Sequence, residues 1–176
     1  VQASTDRLGM LTYICDRWKN PISFAGYFDQ IEDVKKFTIA SQSCFNISLS
    51  TYIARSPSET YPINRLRNMG VSAVKTRFFL LLDIDFWPSV HLSSILDQSV
   101  KNIRSQRNGD FGPTALVVPA FQMESFNESC HWMEHCPEAY VAAVPRTYAQ
   151  LMECMQSSMC STFDSTHNPE GQRSSN

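Results

Sequence analysis

Apolar residues along the chain recur alternately at strand and helix spacing. Residues 1–3 read as the end of a strand. Ser4 or Thr5 then caps a helix whose apolar face is Leu8, Leu11, Ile14, Cys15 and Trp18. Pro21 restarts the chain as a short strand over 22–28. Ile31, Val34 and Phe37 repeat at helical spacing, and residues 45–53 alternate as a third strand. After a polar loop over 55–60, Pro62 stands where a helix can begin, with Ile63, Leu66, Met69 or Gly70, and Val74 as its buried stripe. Leu92, Ile95, Leu96, Val100 and Ile103 predict another amphipathic helix. Asn108-Gly109-Asp110 and Gly112-Pro113 turn the chain into a last clear strand over 114–121. Strands alternating with helical patterns of this length predict an α/β fold, a mostly parallel sheet with helices on its faces.

The most informative stretch is Phe78-Phe79-Leu80-Leu81-Leu82-Asp83-Ile84-Asp85-Phe86. Five large apolar residues in a row predict a strand covered on both faces. Side chains alternate along a strand, so Asp83 and Asp85 share one side and Ile84 takes the other. Two carboxylates at the carboxyl edge of a buried sheet repel each other and lose hydration, a cost that a divalent cation relieves. The pair reads as a D-x-D site holding Mn²⁺ or Mg²⁺ against nucleotide phosphates. The alternative is a solvated strand end. On the preceding helix Asn64 and Arg67 stand three residues apart on one face. From Arg55 to Arg77 the cations Arg55, Arg65, Arg67, Lys75 and Arg77 face one anion, Glu59. That bias suits a diphosphate, with ordinary solvated arginines as the alternative.

A length of 176 residues supports one sizeable core, hence a single domain over 1–176 or part of one. The net charge of −2 argues against a nucleic-acid or anionic-membrane surface. No apolar stretch is long enough to span a membrane, and the amino end lacks a signal peptide's basic-then-apolar order. The chain opens at Val1 without a methionine, as a segment cut from a longer protein does. Six cysteines are many for a cytosolic domain of this size. Together with the sequons Asn46-Ile47-Ser48 and Asn127-Glu128-Ser129 they lean toward a secretory lumen. Cys130-His131 and His135-Cys136 offer four soft ligands within seven residues, but adjacent residues rarely converge on one tetrahedral ion. A local disulfide or two free thiols are the alternatives to zinc. No P-loop motif occurs. A haloacid-dehalogenase-like phosphotransferase wants a small residue where Trp87 stands.

Tyr61-Pro62-Ile63-Asn64-Arg65-Leu66-Arg67-Asn68, followed by Asp83-Ile84-Asp85-Phe86-Trp87-Pro88, closely resembles the Y-P-x-N-x-x-R-N and D-I-D-F-x-P blocks of glycosyltransferase family 49. The match extends to Thr5-Asp6-Arg7-Leu8 with Pro21-Ile22-Ser23, to Leu116-Val117-Val118-Pro119-Ala120-Phe121, and to the tail from His167 to Asn176. The resemblance implies a Rossmann-like GT-A fold and a metal-dependent, inverting transfer from a UDP-sugar to a glycan acceptor, with glucuronic acid as the sugar. It also implies the Golgi lumen, behind a single amino-terminal type II anchor outside this segment. By it, Asp83 and Asp85 bind the metal, and Arg7, Asn64 and Arg67 line the donor site. Glu124 is the candidate general base, against the plainer reading of a solvated loop glutamate. His167 could face the acceptor or cap a turn. The family continues past Asn176 with a metal-binding histidine and further core, so the expectation is a partial domain, poorly soluble and inactive alone. Residues 126–145 match poorly, which leaves acceptor preference open. The non-enzymatic alternative is a glycan- or nucleotide-binding member without turnover.

Overall fold

The computed structural model describes residues 1–56, 58–107, 112, 114–124 and 138–163. They fall into two compact units, one ending at Pro88 and one beginning at Ser89. The first unit runs through β1 (Gln2–Ser4), a 3₁₀ turn (Thr5–Met10) leading into α1 (Leu11–Arg17), and β2 (Ile22–Phe28). A 3₁₀ turn (Ile31–Asp33), α2 (Val34–Ala40), β3 (Ile47–Ile53) and α3 (Ile63–Ser72) follow. β2 is the centre of a parallel sheet. It pairs with β1 from Gln2↔Ala25 to Ser4↔Tyr27 and with β3 from Ile22↔Ile47 to Phe28↔Ile53. Asp83 then makes a single parallel bridge with Gln2. The order across the sheet is therefore β3, β2, β1, Asp83. The chain steps outward from β1 to β3, then returns past α3 to the opposite edge of β1. In open α/β sheets a reversal of this kind marks the place, at the carboxyl ends of the strands, where ligands bind.

The two-residue period of β2 decides what each face meets. Ile22, Phe24 and Phe28 pack with Leu8, Leu11, Ile14, Phe37 and Ile84, while Ala25 and Tyr27 pack with Leu66 and Tyr52. α1 and α2 thus cover one face and α3 the other, as the alternating pattern predicts. The Ser23 hydroxyl donates to the Gly70 carbonyl at 2.6 Å and pins α3 to β2. A disulfide from Cys15 to Cys44 ties α1 to the segment entering β3. Gly26 is small for a reason: a methyl group there would overlap the Phe28 ring and lie 3.3 Å from Phe24 Cε1, and both phenylalanines are fully buried.

Several expectations need correction. Residues 78–82 form no doubly covered strand: Phe78, Phe79 and Leu81 are 44%, 55% and 52% exposed, and only Asp83 reaches the ladder. β1 is three residues long, so a neighbour on its free edge finds little backbone to pair with. Ser4 stands at the start of the 3₁₀ turn without a side-chain cap, and Thr5 Oγ1 donates to the Tyr27 carbonyl instead. Ile63 lies outside the buried stripe of α3, whose buried residues are Leu66 and Gly70.

The second unit contains α4 (Leu92–Gln106), β4 (Phe121–Met123), α5 (Glu138–Ala143), α6 (Tyr148–Gln156) and β5 (Cys160–Thr162). β4 pairs antiparallel with β5, from Phe121↔Thr162 to Met123↔Cys160. The strand expected over 114–121 thus only begins where that range ends, and Leu116 and Val117 before it are exposed. Its described partner is three residues long and cannot extend the ladder further. α4 forms where its periodicity predicts, yet buries none of its stripe. α6 opens with a capping box in which Thr147 Oγ1 accepts from the Gln150 N–H at 3.3 Å and Gln150 Oε1 accepts from the Thr147 N–H at 3.2 Å. A disulfide, Cys154–Cys160, closes α6 onto β5. Among the described residues no helix is long and apolar enough to cross a membrane. Asn127, Cys130, His131, His135, Cys136 and His167 lie outside the described residues.

The packing around Gly26 gives a test. Gly26→Ala should destabilise the protein by about 1–3 kcal/mol through overpacking. Gly9→Ala, where an added methyl meets nothing within 4 Å, should be neutral or stabilising by up to about 1 kcal/mol. Urea midpoints of the two variants check this, and equal midpoints would show that the Phe24 and Phe28 rings yield freely.

Candidate active site

Four charged side chains meet at the carboxyl end of β1. Arg7 comes from the turn that follows the strand, Arg67 from α3, and Asp83 and Asp85 from the segment returning to the strand's free edge. Ile84, only 1% exposed, is drawn into the core and fixes the side on which both aspartates lie. A turn follows, with the Phe86 N–H donating to the Asp83 carbonyl at 3.1 Å. Trp87 anchors its far end, with its ring 4.5 Å from that of Tyr13 and the Arg17 guanidinium over it at 5.4 Å. The strand has gone but the alternation survives, because a buried isoleucine between two acids imposes it.

Each aspartate is matched to one arginine. Arg67 Nη2 donates to both Asp83 oxygens, at 3.1 Å and 2.9 Å, and Arg7 Nη1 lies 3.0 Å from Asp85 Oδ1. The carboxylates are 33% and 45% exposed, and the guanidinium groups about as open. Ion pairs so wet are worth about 0–1 kcal/mol. They hold the acids in place without locking them. The Nε–H of Arg7 and of Arg67 is buried and meets no acceptor among the described residues. A buried donor left unmatched costs about 1–3 kcal/mol.

A neutral chain of hydrogen bonds aims Asp83. The Tyr61 hydroxyl donates to Gln2 Oε1, and Gln2 Nε2 donates to Asp83 Oδ1 at 3.1 Å. Burial pushes the Tyr61 hydroxyl up to about 12, against a lowering by Arg7, so it stays protonated and remains a donor across the physiological range. Gln2 is 7% exposed. A buried amide on so short a strand carries no sequence signal, and its part in the site emerges only from the fold.

Of the expected site residues, Arg7, Arg67, Asp83 and Asp85 come together. Asn64 does not join them. It lines a shallow groove between α3 and β3 with Ser50, Arg65, Asn68 and Met69. Arg65 lies with its guanidinium over the Tyr52 ring at 4.7 Å. Glu124 follows β4 in the second unit, where hydrogen bonds from Ser161 and Gln122 hold its carboxyl below the ordinary glutamate range. That direction weakens it as a base. Among the described residues no three histidine, cysteine or carboxylate groups converge. Two carboxylates are too few for a structural zinc site. They suit a hard cation that keeps waters and takes its remaining ligands from substrate phosphates.

A family described as glycosyl-transferase for dystroglycan matches residues 37–176. Xylosyl- and glucuronyltransferase LARGE1 of Danio rerio is 39% identical over 126 residues, 69% of this chain and 16% of the relative. LARGE2s of Gallus gallus is 31% identical over 166 residues, 92% and 20% of the two chains. LARGE2 of Mus musculus is 30% identical over 179 residues, 98% and 23%. The chain spans about a fifth of the length of these relatives. The stretch from Phe37 onward, which contains Arg67, Asp83 and Asp85, is matched throughout, and this chain belongs to glycosyltransferase family 49.

Proposed function

We propose that this chain carries the donor-binding part of a GT-A glycosyltransferase that moves glucuronic acid from UDP to a glycan acceptor with inversion. The observation that carries the reading is the quartet of Arg7, Arg67, Asp83 and Asp85 at the carboxyl end of β1, where strand order reverses. The quartet sums to zero charge, and its pairs are weak enough to exchange. Asp83 and Asp85 would be the residues to hold Mn²⁺ or Mg²⁺, and Arg7 and Arg67 the residues to meet the diphosphate. A bound divalent cation supplies charge neutralisation for the departing UDP. The arginines add donors where that charge develops, which is the kind of stabilisation that speeds the step. Tyr61 and Gln2 would keep Asp83 aimed without help from Arg67. The acceptor hydroxyl attacks the anomeric carbon from the face opposite the diphosphate, the bond from that carbon to the diphosphate oxygen breaks, and a base takes the hydroxyl proton. The lowered carboxyl of Glu124 makes it a poor choice for that base.

The names of the relatives, xylosyl- and glucuronyltransferases, support the sugar class. The disulfides Cys15–Cys44 and Cys154–Cys160 support an oxidising compartment such as the Golgi lumen. A type II anchor would lie outside this segment.

The exchange of partners makes two predictions for the full-length protein. Asp83→Asn or Asp85→Asn should abolish Mn²⁺-dependent UDP binding and sugar transfer while the melting temperature stays near that of the parent, because the lost pair is half-open to solvent and worth little. Calorimetry with UDP and Mn²⁺ decides, and unchanged affinity in either variant would sink the metal assignment. Arg67→Gln should weaken UDP binding in Mn²⁺ by about tenfold or more, the worth of one charge-assisted contact. It should also tighten binding of Mn²⁺ alone, since Arg67 no longer competes for Asp83. Arg65→Gln should do neither. Equal effects of the two substitutions would mean that the diphosphate does not meet this face of α3.

A further inference from the structure

The donor site accounts for neither the Asn46-Ile47-Ser48 sequon nor the aromatic ring beside it. Phe45 is 84% exposed, more than any other large apolar side chain in the described residues. Asn46 and Ser48 are exposed as well. The backbone carbonyl of Asn46 accepts from the Ile22 N–H at 2.8 Å, which holds this residue against the first rung of the sheet. β3 begins at the next residue and is the edge strand of the described sheet. Two residues before Asn46, Cys44 is joined to Cys15. Disulfides persist where the chain has passed through an oxidising lumen, the compartment in which sequons are read.

We propose that Asn46 carries an N-linked oligosaccharide that lies over Phe45 and guards the start of β3. The donor is a polyisoprenyl diphosphate oligosaccharide. Nδ2 of Asn46 forms a bond to C1 of its first N-acetylglucosamine, and the bond from C1 to the diphosphate oxygen breaks. The amide gives up one proton to a base on the transferring enzyme, and the lipid diphosphate leaves. Ser48 supplies the hydroxyl by which that enzyme recognises the acceptor. Once attached, the sugar offers its apolar face to the Phe45 ring, which otherwise stands in water. An exposed strand edge invites pairing with another chain, and a bulky hydrated group at its start blocks that approach.

The position is compatible with the donor site. Asn46 precedes the amino ends of the parallel strands, whereas Arg7, Asp83 and Asp85 gather at the carboxyl end of β1. From the Ile22↔Ile47 rung to the Phe28↔Ile53 rung is about 20 Å at the usual rise per strand residue. The glycan and the nucleotide occupy opposite poles of the sheet.

The test uses the natural full-length chain made in a eukaryotic cell line, with Asn127→Gln introduced so that any signal from this pair of sequons belongs to Asn46. Release of N-glycans by an amidase in heavy-oxygen water converts a glycosylated Asn46 into a labelled aspartate, read by peptide mass spectrometry. The expected result is a labelled peptide, lost in Ser48→Ala and kept in Ser48→Thr. Recovery of the Asn46 peptide only in unlabelled form overturns the proposal, and this reading holds even if Ser48→Ala fails to accumulate. Removing the glycan from the purified protein should increase self-association, and Phe45→Ser should reverse the increase. No change in particle size on deglycosylation overturns the shielding role.

Discussion

The bridge between Asp83 and Gln2 is the contact on which the site depends. It brings the returning chain back beside β1, and its register decides which residues follow the strand's end. One residue later Ile84 enters the core, and two residues later Asp85 reaches Arg7. The side chain of Gln2 also binds Asp83 and receives the Tyr61 hydroxyl, so the same residue sets backbone position and carboxylate direction. A slip of one residue would turn both aspartates inward and Ile84 outward. Burying two carboxylates costs far more than exposing one isoleucine, which keeps the register where it is.

The arginine pairs give the site its resting state. Two bare carboxylates so near each other would repel, and two bare guanidiniums likewise; paired, the four charges cancel. Each pair is half-open to solvent, so under the proposed function parting it would cost little beside what a divalent cation and a diphosphate arriving together would supply. Under that proposal either ligand alone would free only one half of each pair and strand the other half. The proposed exchange would therefore favour joint occupancy over single occupancy.

Much of the first unit is legible in the sequence. β2 is read correctly residue for residue, and Ile22, Phe24 and Phe28 on one face and Ala25 and Tyr27 on the other all find buried partners. The pairing of Asp83 with Asp85 across a buried Ile84 follows from alternation alone. The run over 78–82 misleads, since an apolar run states a demand for cover and not its supply. α4 repeats the lesson, with its periodicity intact and its stripe unburied. Arg7 with Asp85 and Arg67 with Asp83 are contacts between distant segments, and nothing local marks them. Gln2 is illegible for the same reason. The disulfides Cys15–Cys44 and Cys154–Cys160 are invisible too, because six cysteines permit fifteen complete pairings. α6 was open to reading through Thr147 and Gln150, whose spacing is that of a helix start.

Calorimetric titration of the full-length protein with UDP, with and without saturating Mn²⁺, tests joint occupancy most directly. Partner exchange at the quartet predicts that Mn²⁺ tightens UDP binding at least tenfold, about 1.4 kcal/mol of coupling, and that UDP tightens Mn²⁺ binding by the same factor. Equal UDP affinity in the two titrations would contradict it.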